Sequence, residues 1–132
     1  MLLVDTNGLL WITTGPNELG RKAHRRVAKA LSQQRARFSA ISVWEFAVLA
    51  RKRRLLAEIS AERWRLDLIE AGFQEIPLDG AMAARAENVV GLHSDPADRF
   101  IAATADILKA ELMTADDALL VWAGKKGVDA RL

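Results

Sequence analysis

The sequence predicts an α/β fold, a three-layer α/β/α sandwich around a mostly parallel central sheet. Three observations carry that prediction. Short apolar runs alternate with longer stretches whose apolar residues recur at helical spacing. The chain has 132 residues, 51% hydrophobic and 27% charged, which is one domain's worth of a packed globular protein. Acids stand directly behind apolar runs, where the carboxyl ends of strands gather reactive side chains in open α/β sheets. No internal repeat, linker or low-complexity stretch divides the chain, so residues 1–132 read as a single domain.

The elements follow in order. Leu2–Val4 is an apolar run that stops at Asp5, as a strand buried on both faces would. Leu9, Leu10 and Ile12 continue at helical spacing to a Gly15-Pro16-Asn17 loop. Over 18–34, Leu19, Ala23, Val27, Ala30 and Leu31 form one stripe, while Arg21, Lys22, Arg25, Arg26 and Lys29 make the outer face basic. A short run over 36–40 around Phe38 reads as a second strand. Ser42 with Glu45 three residues on has capping-box spacing and predicts a helix to about residue 54.

Ser60 opens a further helix that Gly72 ends, and Phe73 to Ile76 reads as a strand stopped by Pro77. Asp79 caps a helix to about residue 90. Asp95-Pro96 starts another to about residue 110, with proline at the first helical position. Leu112 to Thr114 is the next short apolar run, followed by a helix over 116–122 and a last strand over 127–130.

Composition removes several classes of function. The chain holds no cysteine, which excludes a disulfide scaffold, a thiolate zinc site and a cysteine nucleophile. Only His24 and His93 are available to a hydrolytic triad, and His24 lies within the basic helix. Glycine-rich phosphate loops are absent. No apolar run approaches the ~18 residues of a membrane span, and the start lacks the basic region of a signal peptide, so a cytoplasmic protein is expected. The net charge of +2 conceals an uneven distribution: residues 1–65 carry 13 Lys/Arg against 5 Asp/Glu, and residues 66–132 carry 6 against 12. Such asymmetry favours charged partners, nucleic acid foremost for the basic half.

Four acids stand where a parallel sheet could bring them to one edge: Asp5 behind the first strand, Glu45 in the helix after the second, Asp98 in the first turn behind Asp95-Pro96, and Asp116 behind Thr114. Converging carboxylates raise one another's pKa unless a cation neutralises them, and hard oxygen ligands without cysteine suit Mg²⁺ or Mn²⁺. Each acid also has a local reading as a helix cap, and Thr114 with Asp117 has capping-box spacing. Glu45 is flanked at helical spacing by Ile41, Val48 and Leu49, so it faces the buried side and needs a partner there.

At these residues the sequence resembles the PIN domain, specifically the VapC-type toxin ribonucleases of prokaryotic toxin–antitoxin pairs. The resemblance rests on Leu2-Leu3-Val4-Asp5-Thr6-Asn7 with Leu10-Trp11, on Ile41-Ser42-Val43-Trp44-Glu45-Phe46, on the H-x-D-P-x-D-R block from His93 to Arg99 with Phe100-Ile101-Ala102, and on Leu112-Met113-Thr114-Ala115-Asp116. One departure is Val90-Gly91-Leu92 before His93, where many relatives carry Leu-Pro. The resemblance implies a PIN-like sandwich and an Mg²⁺- or Mn²⁺-dependent endoribonuclease toxin. It implies Asp5, Glu45, Asp98 and Asp116 as the catalytic acids, with Asp5, Asp98 and Asp116 on the metal and Asp116 preferred to Asp117 as the fourth. Thr6, Asn7 and Thr114 match the polar residues beside them. It further implies a VapB-like antitoxin partner, a homodimer, and cleavage of RNA to 5′-phosphate and 3′-hydroxyl ends.

Arg99, at the helix start beside the acids, could pair with a carboxylate or touch an RNA phosphate; His93 could contact substrate or serve the loop. Arg51-Lys52-Arg53-Arg54 and Arg21-Lys22 with Arg25-Arg26 are the candidate phosphate contacts, Arg51 and Arg53 foremost, against a reading as solvated helix faces. Spacing places the four tryptophans, Trp11, Trp44, Trp64 and Trp122, mostly in the core. The alternative function is a non-catalytic nucleic-acid-binding PIN-like module.

Overall fold

The computed structural model describes residues 1–14, 18–52, 58–89, 91 and 95–132. Five strands form one sheet: β1 (Leu2–Val4), β2 (Ala36–Ser39), β3 (Gln74–Ile76), β4 (Glu111–Thr114) and β5 (Gly127–Asp129), in the order β3-β2-β1-β4-β5. Every pairing is parallel. The sandwich expected from the alternation of strand and helix signals is therefore present, with a sheet that is parallel throughout.

Alternation along β1 sorts the two faces. Leu2 and Val4 join a core with Phe38 and Met113, covered by α1 (Thr6–Thr13), α2 (Arg21–Ser32), α3 (Ala40–Arg51) and α4 (Ala61–Glu70) through Leu9, Val27, Phe46 and Trp64. Leu3 and Leu112 face the opposite core, built on α5 (Gly80–Glu87), α6 (Pro96–Leu108) and α7 (Asp117–Ala123) through Ala86, Ile101 and Leu119. Burying both faces explains why β1 reads as an unbroken apolar run rather than an alternating one. A 3₁₀ turn over Gly124–Lys126 leads from α7 into β5. Trp64 knits the first face together: its ring stacks on Phe46 at 4.5 Å between centroids, and its indole N–H donates to Thr13 Oγ1 at 2.8 Å. Among the described residues, no helix is long and apolar enough to cross a membrane.

Caps written in the sequence hold: Ser60, Asp79, Asp95 and Asp116 each accept from a backbone N–H of the following first turn. Two sequence expectations need correction. The helix after β2 is capped by Ser39, whose hydroxyl accepts from Ile41 N–H, and not by Ser42, because strand β2 passes directly into α3. Trp44 is 57% exposed and outside the core, whereas Trp64 is fully buried. Helix α3 is apolar on nearly all sides, so periodicity alone could not say which side faces inward.

The strand order matters for function. From β1 the chain runs outward through β2 and β3, then returns to the other side of β1 with β4 and β5. The order thus reverses between β1 and β4, and the crevice beyond the carboxyl ends at such a switch point is where open α/β sheets bind ligands.

Candidate active site

Asp5 is the first residue past β1 and lies at that switch point. Its backbone N–H donates to Met113 O of β4 at 3.0 Å. Its carboxylate caps α1, Oδ1 accepting from Gly8 N–H at 2.9 Å, while Oδ2 accepts from the Thr114 hydroxyl at the end of β4. The side chain is nearly fully buried. Burial pushes its pKa up to about 6; the hydrogen bonds from Thr114 and Gly8 oppose this, and the charges of Asp98 and Asp116 reinforce it. That mutual influence is the structural sign that Asp5, Asp98 and Asp116 share one edge.

Three helix N-termini bring these acids together. Asp5 caps α1 and Asp116 caps α7 by accepting from Leu119 N–H at 2.9 Å. Asp98 lies in the first turn of α6, behind the cap formed by Asp95. Each helix start carries a partial positive charge that favours an anion beside it. Thr114 couples two of the acids, donating to Asp5 and accepting from Asp116 N–H at 3.0 Å. Asp117, in contrast, is exposed and bonded to Arg131 at 2.9 Å, which favours Asp116 as the residue facing Asp5.

Glu45 is half-buried on α3 and accepts a hydrogen bond from the Thr6 hydroxyl. Burial raises its pKa; the Thr6 bond lowers it, and the charges of Asp95 and Asp5 raise it further. Thr6 Oγ1 also lies 2.9 Å from Ser42 Oγ. Thr6 has one hydroxyl hydrogen and gives it to Glu45, so Ser42 is the donor in that second bond. Asn7 is exposed at the start of α1.

The Arg99 guanidinium donates to the carbonyls of Ala86, Glu87 and Val89 at 3.0, 2.8 and 3.3 Å, closing the C-terminal end of α5 onto α6. Arg51 is exposed at the last turn of α3. Arg53, Arg54 and His93, with the Val90 and Leu92 of the departure and the 15–17 loop, lie outside the described residues. Among the described residues no three His, Asp or Glu side chains form a ready-made cation cage. The donor set nonetheless fits a hard divalent cation, because it offers carboxylate oxygens and no sulfur.

Sequence reasoning missed three contributors. Gly8 supplies the N–H that holds Asp5, and a Cβ there would stand 2.8 Å from Val4 Cγ1 and 3.2 Å from Asp5 Oδ1. A glycine in the first turn of a helix, three residues behind an acid, was the available signal. Ser42 orients Thr6, and Arg131 ties Asp117 to Asp129 across the end of the sheet. The latter two pairings are tertiary and leave no local pattern.

A family model described as PIN domain matches residues 2–124, nearly the whole chain. The chain belongs to the PIN domain family. No curated protein sequence matches it significantly. Three solved structures resemble this PIN domain over almost their full length. A chain of a toxin–antitoxin complex from Klebsiella pneumoniae is 25% identical, with 98% of each chain covered and a TM-score of 0.68. A chain from FitAB bound to an IR36 DNA fragment is 21% identical, covering 100% of this chain and 96% of that one, with a TM-score of 0.70. One from FitAcB of Neisseria gonorrhoeae is 22% identical, with 98% of each chain covered and a TM-score of 0.67. The latter two likenesses speak for the fold.

Proposed function

We propose that this PIN domain is a VapC-type toxin, an Mg²⁺- or Mn²⁺-dependent endoribonuclease held in check by a VapB-like antitoxin and acting as a homodimer. The observation that carries the reading is Asp5: a carboxylate buried at the β1/β4 switch point, its pKa raised to about 6, within the electrostatic reach of Asp98 and Asp116. A fold that only needed a cap for α1 gains nothing from burying a carboxylate beside two more. Asp5, Asp98 and Asp116 would hold the cation, which when bound supplies charge neutralisation at the scissile phosphate and a more acidic bound water.

The chain's own groups do the rest. Thr114 and Gly8 fix both oxygens of Asp5, so the carboxylate is oriented before anything binds. Glu45, turned by Thr6 and Ser42, orients the attacking water and takes its proton; its raised pKa makes it a better base than a surface glutamate. Asn7, exposed beside the acids, and Arg51 with Arg53 would contact the RNA, whereas Thr6 and Thr114 are buried and act through Glu45 and Asp5. Arg99 we assign to positioning Asp98 through α5 rather than to the RNA, because three of its contacts are to backbone carbonyls. The toxin assignment draws on the neighbour described as a toxin–antitoxin complex, at 25% identity over 98% of both chains.

The test is cleavage of total RNA with Mg²⁺, Mn²⁺ or chelator. Parent protein is expected to cut only with divalent cation and to leave 5′-phosphate and 3′-hydroxyl ends. Asp98→Asn is expected to lose at least ~100-fold in rate, beyond the ~10–100-fold typical of outer-shell partners. Chelator-resistant cleavage, or binding without cleavage under all three conditions, would favour the non-catalytic module instead.

A further inference from the structure

Helix α2 carries Arg21, Lys22, His24, Arg25, Arg26 and Lys29 and no acid. Its cations border two adjoining hollows. One, of about 560 Å³, lies between α2 and the edge strand β5 and is lined by Lys22, Arg25, Arg26 and Lys125. The other, of about 300 Å³, continues past the C-terminal half of α2 and is lined by Arg26, Lys29 and Arg35. Arg26 and Glu111 line both and are ion-paired to each other. Of the first hollow's other acidic groups, Asp129 is bonded to Arg131, which holds it below the usual carboxylate range, and the main-chain oxygen of Leu132 accepts from Lys22 N–H at 2.8 Å. Among the described residues, Lys22, Arg25, Lys29, Arg35 and Lys125 have no carboxylate partner, and all five are exposed.

The second hollow lies at the amino ends of the strands, at Leu2, Arg35 and Glu111, and the first runs from the amino ends of β4 and β5, at Glu111 and Gly127, to the carboxyl end of β5 at Asp129. Val4 pairs with Met113 and Thr114 with Asp129, so Asp5, Thr114 and Asp129 stand in one row across the ends of three adjacent strands. Two strand spacings of ~4.8 Å put the Asp129 end of the groove about 10 Å from Asp5. Along α2, Lys22, Arg25 or Arg26, and Lys29 follow one another at about one helical turn, ~5.4 Å. A line of point cations at that interval in a concave channel suits a chain bearing one negative charge per repeat.

We propose that the α2–β5 groove binds the sugar–phosphate backbone of single-stranded RNA and leads it onto the carboxylate edge. The choice of single-stranded RNA rests on the ribonuclease reading above; the groove itself rests on the cations. Contacts of this kind give affinity without sequence choice and are lost with salt.

The experiment is fluorescence anisotropy with a labelled 20-nucleotide single-stranded RNA, in chelator so that nothing is cut, across a salt series. Parent protein is compared with Arg25→Glu/Lys29→Glu and with Arg85→Glu/Lys109→Glu, a charge-matched change at exposed residues of α5 and the end of α6, on the other face of the sheet. The double variant, shown by circular dichroism and melting to be folded, is expected to bind at least tenfold more weakly and to lose about one to two from the slope of log K against log salt. Arg85→Glu/Lys109→Glu is expected to shift affinity less. Unchanged affinity and slope in the double variant, tighter binding of double-stranded DNA than of RNA, or binding of anionic vesicles without RNA would each overturn the proposal. Cleavage of a tetranucleotide too short to reach the groove keeps the two readings apart. If the double variant binds poorly yet cuts the tetranucleotide like the parent, both stand. If the parent binds RNA through the groove but cuts nothing, the ribonuclease reading fails and the groove remains.

Discussion

Asp5→Asn should make the protein inactive and, at neutral pH without divalent cations, more stable. The folded protein holds the Asp5 proton more tightly than the unfolded chain does, because burial raises the carboxyl from 3.8 to about 6. Unfolding between those values therefore releases a proton, and the Asp5 contribution to stability falls as pH rises from about 4 to about 6. At ~1.4 kcal/mol per pH unit, the ionised carboxylate costs the fold about 3 kcal/mol at pH 7 and nothing below pH 4. Asparagine removes that cost. It keeps an oxygen for Gly8 N–H but turns an amide toward Thr114 Oγ1, which already accepts from Asp116 N–H and would be left with an unpaired hydroxyl hydrogen. That loss costs about 1 kcal/mol.

The net expectation is a gain of about 2 kcal/mol at pH 7 and a loss of about 1 kcal/mol at pH 4. At ~3–4 °C per kcal/mol for a chain of this length, this is a melting temperature about 6–8 °C higher at pH 7 and about 3–4 °C lower at pH 4. Thermal and urea unfolding of parent and variant in chelator measure it, and the difference between the two proteins cancels other titrating groups. Saturating Mg²⁺ should then raise the parent's midpoint and leave the variant's nearly unchanged. A variant less stable than the parent by the same amount at both pH values would refute the reasoning, since it would mean that Asp5 is ionised at no cost.

Three further outcomes follow from the geometry. Gly8→Ala should lose about 1–2 kcal/mol in urea unfolding and most of the cleavage activity: alanine's helix preference of ~1 kcal/mol is outweighed by a Cβ 2.8 Å from Val4 Cγ1 and 3.2 Å from Asp5 Oδ1. Arg99→Lys should cost about 1–2 kcal/mol and lower cleavage while leaving the salt slope of RNA binding unchanged, because a lysine cannot span the three carbonyls; a lower slope would return Arg99 to the RNA. Trp64→Ala should cost about 3–5 kcal/mol, and Trp44→Ala less than 1 kcal/mol, by the same unfolding assay.

What the sequence made legible was local. Strand β1 and its bounding acid stood out because a strand covered on both faces has no polar residue until it ends. Asp79, Asp95 and Asp116 were readable as caps because a cap is satisfied within its own first turn. Ser42 was misleading for the same reason: its spacing to Glu45 imitates a capping box, but the structure spends its hydroxyl on Thr6, 36 positions away. Trp44 and Trp64 look alike in sequence, and only the packing of α4 against α3 decides that the second enters the core. Arg99 meets carbonyls 10 to 13 residues earlier, at the end of another helix, where no periodicity could place it.

The acids illustrate how a local and a collective role can share one residue. Asp5, Asp98 and Asp116 each sit in the first turn of a helix, so each is explained singly by capping or by the helix dipole. Capping alone does not explain why the topology gathers three such turns at the β1/β4 reversal, or why Asp5 is buried there against its own ionisation. An exposed aspartate would cap α1 equally well and fold more stably. Positions where a chain keeps a destabilising choice despite an easier one are where function is expected to override stability. On the proposed reading the compensation comes from a cation, and the helix N-termini lower the cost of waiting for it. The Gly8 and Thr114 bonds thus oppose the burial that favours protonating Asp5, and they hold its carboxylate oriented at the edge where Asp98 and Asp116 also stand.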